Sequence, residues 1–183
     1  MAEFKIKGGI KLKGEITPQG AKNEALQILS AVLLTGEKVT VTNIPEIRDI
    51  LKLIDLLKDL GVKVERVAQG DYTFEANNVD LDYLDSAEFK VKGAALRGSI
   101  MIVGPLLARF GKGYIPSPGG DKIGRRRLDT HFIGFENLGA NFEYSKEENF
   151  YRVSADRLKG AYMLLEEASV TGTANIVMAA VLA

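Results

Sequence analysis

Apolar positions along the chain follow two periods, and each change of period marks a change of element. Phe4, Ile6, Ile10, Leu12 and Ile16 alternate with Lys and Gly, the two-residue period of a half-buried pair of short strands. From Ala21 onward Ala25, Leu26, Leu29, Val32 and Leu33 fall three and four apart, with Gly36 behind them, which predicts a helix. Lys38 to Ile44 is β-branched and alternating. Pro45 then opens a second helix, with Ile50, Leu53, Ile54, Leu57 and Leu60 as its apolar stripe and Gly61 as its cap. Lys63 to Val67 and Tyr72 to Glu75, on either side of Gln69-Gly70-Asp71, predict a hairpin.

The order then repeats. An apolar helix is expected from about Arg97 to Phe110, a strand over Gly113 to Ser117, a Gly-rich loop, a helix from about Asp129 to Leu138 and a hairpin over Asn141 to Ser154. Leu60-Gly61-Val62-Lys63-Val64-Glu65 recurs as Leu138-Gly139-Ala140-Asn141-Phe142-Glu143, 78 positions later (138 − 60). That period is too long for a solenoid and indicates a duplicated unit of strands and helices. A third copy begins at Ser169-Val170-Thr171-Gly172 and reaches Ala183 inside its first helix. The 183 residues are therefore expected to be the N-terminal part of a longer chain.

Composition narrows the chemistry. With 46% hydrophobic and 26% charged residues the chain can fill a core, and 24 Lys+Arg against 24 Asp+Glu leave no net field to attract a polyanion. Any anion must be held locally, and no nucleic-acid partner is expected. The absence of Cys excludes disulfides, thiolate metal sites and a thiol nucleophile and fits a cytoplasmic location, while a single His argues against a His-based metal site. The apolar runs near residues 25–34 and 100–110 fall short of the roughly 18 residues that span a bilayer, so no membrane partner is expected.

Each unit carries a polar cluster where its first helix begins. In the first it is Gly20-Ala21-Lys22-Asn23, with a Lys in a turn that ordinarily prefers Asp or Glu. A cation there, beside free backbone N–H groups, points to a bound anion; a solvated Lys is the plain alternative. Arg97, just before Gly98-Ser99, occupies the corresponding turn of the second unit. Ser169-Val170-Thr171-Gly172-Thr173 suits hydrogen bonds to phosphate oxygens, and an N-cap explains it equally well. Between strand and helix, Pro116-Ser117-Pro118-Gly119-Gly120-Asp121-Lys122-Ile123-Gly124-Arg125-Arg126-Arg127 sets one acid among four cations on a Gly-rich loop. It reads as an anion-binding lid or as a basic surface loop.

Gly20-Ala21-Lys22-Asn23, Leu96-Arg97-Gly98-Ser99, Gly104-Pro105-Leu106-Leu107-Ala108-Arg109-Phe110-Gly111, Pro118-Gly119-Gly120-Asp121-Lys122-Ile123-Gly124 and Asp129-Thr130-His131 together resemble the UDP-N-acetylglucosamine 1-carboxyvinyltransferases. These are the enolpyruvyl transferases that open peptidoglycan precursor synthesis, and the resemblance covers the whole chain in order. It implies an α/β fold, an inside-out α/β barrel of repeated βαβαββ units with helices inside and sheets outside, here truncated within the third unit. Residues 1–19 would be strands of the family's second domain. Residues 20–183 would form the first domain, with unit one at about 20–80, unit two at about 90–158 and a partial unit three at 159–183.

The resemblance also implies site residues. Lys22 and Arg97 would hold the phosphate and carboxylate of phosphoenolpyruvate, with Arg126 as the loop arginine, uncertain by one position among Arg125, Arg126 and Arg127. Asn23 would orient the sugar of UDP-N-acetylglucosamine, and Ser169, Val170 and Thr171 would meet its diphosphate. Asp121 stands where many members carry a reactive Cys; it is the candidate general acid, and fosfomycin resistance is implied. No cofactor or metal is implied. The missing C-terminal portion of the same enzyme would be a partner of these residues, and the alternative is a module that binds UDP-sugar or phosphate without turnover.

Overall fold

The computed structural model describes residues 3–116 and 128–183. Helix α1 (Lys22–Ala31) starts where the period changes and runs on as a 3-10 turn over Val32–Leu34. Strand β1 (Lys38–Val41), helix α2 (Arg48–Asp59) and the hairpin of β2 (Lys63–Ala68) and β3 (Asp71–Glu75) complete the first unit. Helix α3 (Ala87–Ala94) leads into the second, which continues as a 3-10 turn (Arg97–Ile102), α4 (Val103–Phe110), β4 (Lys112–Pro116), α5 (Asp129–Asn137), β5 (Asn141–Ser145) and β6 (Phe150–Ser154). Helix α6 (Val170–Ala180) begins the third.

The duplication extends to hydrogen bonds. Both sheets are antiparallel with the last strand of the unit in the middle, in the orders β1-β3-β2 and β4-β6-β5. Lys38 and Lys63 both face Glu75, as Lys112 and Asn141 both face Ser154. The second helix of each unit ends on a glycine at positive φ, Gly61 (+88°) and Gly139 (+94°). At these turns Val62 N–H donates to Leu57 O (3.0 Å) and Ala140 N–H to Phe135 O (2.9 Å). A side chain at either glycine would strain a backbone that must turn left-handed to reach its hairpin.

Helices occupy the interior. The stripe of α2 (Ile50, Leu53, Ile54, Leu57) is almost wholly buried, α4 packs most extensively on α6, and α6 also meets α5 and α1. No residue of β1, β2 or β5 is buried, so the sheets form the outer layer. The units are tied by Arg109, whose Nη1 donates to Leu33 O (3.2 Å) and Ala76 O (2.7 Å), capping carbonyls that the 3-10 turn and β3 leave unpaired. Among the described residues no single helix is long and apolar enough to cross a membrane, and no three His, Asp or Glu side chains gather as a metal cluster.

Phe4, Ile6, Ile10, Leu12 and Ile16 are all exposed, Ile16 at 93%, and no described backbone lies beside them, so strands here would need a partner outside the described residues. Two expectations need correction, at Pro45 and over residues 97–110. Pro45 does not open α2. Glu46 is drawn away to Arg66 Nε (2.7 Å), Tyr72 Oη (2.8 Å) and Gly70 N (3.2 Å), which keeps 45–47 out of the helix. Arg97 to Phe110 is not one helix: Pro105 offers no N–H to the preceding turn, so the α-helical part begins only at Val103. Helix α3, capped by Ser86 Oγ accepting from Phe89 N (3.0 Å), was not anticipated.

Candidate active site

One cleft of about 820 Å³ collects the starts of five helical segments. Lys22 and Asn23 come from α1, Arg48, Asp49 and Lys52 from α2, Arg97 and Gly98 from the 3-10 turn, Leu128 and His131 from the start of α5, and Ser169, Val170 and Thr171 from the start of α6. The six described residues expected at the site, Lys22, Asn23, Arg97, Ser169, Val170 and Thr171, all line it. Asp121 and Arg126, with Arg125 and Arg127, lie outside the described residues; Leu128, which follows them, is part of the cleft wall.

Close packing explains how residues 75 apart in sequence (97 − 22) come together. Lys22 and Leu26 stand one turn apart on the same face of α1. Leu26 rests on Gly98, where an added Cβ would come 2.9 Å from Leu26 Cδ2. The glycine beside Arg97 therefore lets α1 approach the turn that carries the arginine, and Lys22 follows. Ser99 Oγ donates to Gly93 O at 2.8 Å and anchors that turn from below.

Charge is concentrated here although the chain as a whole is neutral. Among the described residues of the wall, Lys22, Arg48, Lys52 and Arg97 outnumber Asp49 and Glu167, four to two. The positive ends of the helix dipoles add to them. Helix α6 has no acid in its first turn; Ser169 Oγ accepts the Gly172 N–H at 3.1 Å, and the other first-turn N–H groups lie beside the cleft. Glu167 is held by Thr130 Oγ1 at 3.2 Å. Lys22 Nζ is already paired with Asp49 Oδ2 at 2.9 Å, so an incoming anion would compete with a carboxylate for that cation.

His131 is buried in the wall. Burial, and secondarily the charge of Arg97, holds its imidazole pKa down at about 4, so the ring is neutral at neutral pH. Sequence reasoning noted this residue only as part of a motif and missed Arg48, Asp49 and Lys52. The duplication carried a signal for them: the second helix of each unit opens with an Asp in its first turn, Asp49 and Asp129, and both starts border the cleft.

The EPSP synthase (3-phosphoshikimate 1-carboxyvinyltransferase) family model matches residues 6–183. UDP-N-acetylglucosamine 1-carboxyvinyltransferases of Bacteroides fragilis and Porphyromonas gingivalis are 63% and 60% identical over all 183 residues, and that of Borreliella burgdorferi is 42% identical. The chain spans about two-fifths of the length of these curated relatives, 42% in the first two and 41% in the third. Among solved structures, EPSP synthase from Acinetobacter baumannii is similar with a TM-score of 0.67 at 20% identity, over 91% of this chain and 37% of that one. The enolpyruvyl transferase NikO from Streptomyces tendae gives 0.65 at 17%, over 82% and 32%. These two likenesses support the fold, and the family model's match over nearly the whole length, with relatives at 60% identity and above, places the chain in the EPSP synthase (3-phosphoshikimate 1-carboxyvinyltransferase) family.

Proposed function

We propose that these residues form the phosphoenolpyruvate and UDP-N-acetylglucosamine side of an enolpyruvyl transferase active in peptidoglycan precursor synthesis. In that reaction the sugar 3-hydroxyl oxygen adds to C2 of phosphoenolpyruvate while C3 takes a proton. The tetrahedral intermediate then loses a proton from C3 as the C2–O bond to phosphate breaks. Lys22 and Arg97 would neutralise the phosphate and carboxylate as charge builds. Asn23 would orient the sugar, and Ser169, Val170 and Thr171 would hold the diphosphate on the N-terminus of α6. Asp121 would protonate C3 and Arg126 would close on the phosphate. Residues 1–19 would pair as strands with the second domain of the whole enzyme, which would act in the cytoplasm.

The observation that carries this reading is the shared cleft. Two cations from equivalent turns of duplicated units, and the free N–H groups of a third, border one space with net positive charge. A phosphate contact from a cation is typically worth about 1.5–3 kcal/mol, so Arg97→Ala should weaken binding of UDP-N-acetylglucosamine or phosphate roughly tenfold or more by calorimetry. Unchanged affinity in that variant would refute the assignment. The 183 residues alone should bind without turning over, since Lys22 and Asp49 remain half exposed to water in the open cleft. Phosphate release at an ordinary enzymatic rate, about 1–10³ per second, would contradict this.

A further inference from the structure

Asn175, fully buried on α6, is saturated by its neighbours. Its Oδ1 accepts the Gly104 N–H at 2.8 Å, and its Nδ2 donates to the Ile100 carbonyl at 2.8 Å and stands 3.1 Å from Nδ1 of His131. Flipping the amide would set NH2 against the Gly104 donor and oxygen against the Ile100 carbonyl, so the two backbone groups decide its orientation. The end that faces His131 is then a donor, and Nδ1 must accept. The single proton of the neutral ring is on Nε2. Gly104 makes the approach possible, because a Cβ there would overlap the main-chain oxygen and Oδ1 of Asn175.

His131 is 3% exposed and borders the cleft beside Arg97. Among the described residues nothing pairs with its Nε2, yet no buried side-chain nitrogen or oxygen lacks a partner. Nε2 is therefore the atom through which the ring meets the cleft. We propose that His131 offers the anion of this cleft a neutral Nε2–H donor, and that Asn175 is the positioning residue that fixes the tautomer. This rests on the reading of the cleft as an anion site and adds a directed contact to it. A neutral donor hydrogen-bonds a phosphate oxygen without adding a fifth positive charge to a wall that already carries Arg97, Arg48, Lys52 and Lys22.

The chain has one histidine, so imidazole ¹⁵N NMR of the whole chain reads this ring without overlap. The expected result is a protonated Nε2 and an unprotonated Nδ1, unchanged between about pH 5 and 8, with the Nε2 resonance moving when inorganic phosphate or UDP is added. Asn175→Asp puts a carboxylate against Nδ1 and should shift the proton to that nitrogen and raise the titration toward neutrality. His131→Phe should weaken phosphate binding several-fold, and His131→Gln, which keeps an N–H near the Nε2 position, should recover part of it. A wild-type ring protonated on Nδ1 would overturn the role of Asn175, and that measurement does not depend on any variant folding. Phosphate binding seen by calorimetry that leaves Nε2 unmoved would overturn the contact to the ligand. Absence of phosphate or UDP binding altogether would overturn the anion reading and this contact with it, while the tautomer would still stand or fall on the pH series.

Discussion

Lys22 and Asp49 should have opposite effects on anion binding, and the difference follows from their pairing. Asp49 Oδ2 lies 2.9 Å from Lys22 Nζ, with the side chains 42% and 47% exposed. Unit charges about 4 Å apart interact by about 1 kcal/mol in water and about 4 at an effective dielectric of 20. Half-exposed pairs fall near the lower figure, about 0–1 kcal/mol. A phosphate seated on Lys22 meets Asp49 as a like charge of comparable weight. Asp49→Asn should therefore tighten inorganic phosphate binding by roughly twofold to fivefold. Lys22→Ala removes a charge-assisted contact worth about 1.5–3 kcal/mol and leaves Asp49 to repel the ligand, a loss of roughly tenfold or more. Because the two residues share one ligand, the double variant should depart from additivity by about 0.5 kcal/mol or more. Titration calorimetry at low and high salt reads all three, and the Asp49 effect should shrink as salt rises. If Asp49→Asn weakens phosphate as much as Lys22→Ala does, Asp49 holds the lysine in place for the ligand and does not compete with it.

Two further outcomes concern stability. Gly134→Ala should destabilise the fold by about 1–3 kcal/mol in urea melts, because an added Cβ would overlap the Ile176 side chain where α5 crosses α6; an unchanged midpoint would mean that this crossing is loose. The Glu46 carboxylate is held down at about 2, chiefly by Arg66 and then by Tyr72 and the Gly70 N–H. A depressed carboxylate stabilises above its unfolded value and loses that contribution as pH falls through the folded one. Wild type should therefore lose stability between about pH 4.5 and 2 in a step that Glu46→Gln lacks, and parallel profiles for the two would remove Glu46 from the acid response.

What could be read from the chain were the features that local physics decides. The α2 stripe, the hairpins and the paired glycines at 61 and 139 depend on neighbours within one unit, and all are present at those positions. The Phe4 to Ile16 alternation is of the opposite kind: a strand exists only with a partner backbone, and the period says nothing of where that partner is. Helix α3 escaped because only Phe89 and Gly93 are buried along it while Val91 is 71% exposed, too little contrast for a periodic signal. At the cleft, Lys22 and Arg97 stood out because a cation at a helix start contradicts its dipole. Arg48 and Lys52 carried no such signal, and it is the packing of α2 against α1 that brings them to the cleft wall.

Convergence of the site is a consequence of how the repeats pack. The first helices of the three units, α1, α4 and α6, lie against one another directly or through their 3-10 extensions, and the crossings are tight where glycine lies at the contact. Gly98 admits Leu26, Gly104 admits Asn175 and Gly134 admits Ile176. Shortening those distances draws the helix starts together at one end, and there the unpaired N–H groups of α6, the cations of α1 and the 97–102 turn, and the neutral ring of His131 border the same volume. Among the described residues the third unit contributes no cation to the cleft wall. At α6 it offers Ser169 and a first turn without acids, so an anion held as proposed by Lys22 and Arg97 would extend toward α6 as a hydrogen-bond acceptor, as a diphosphate would.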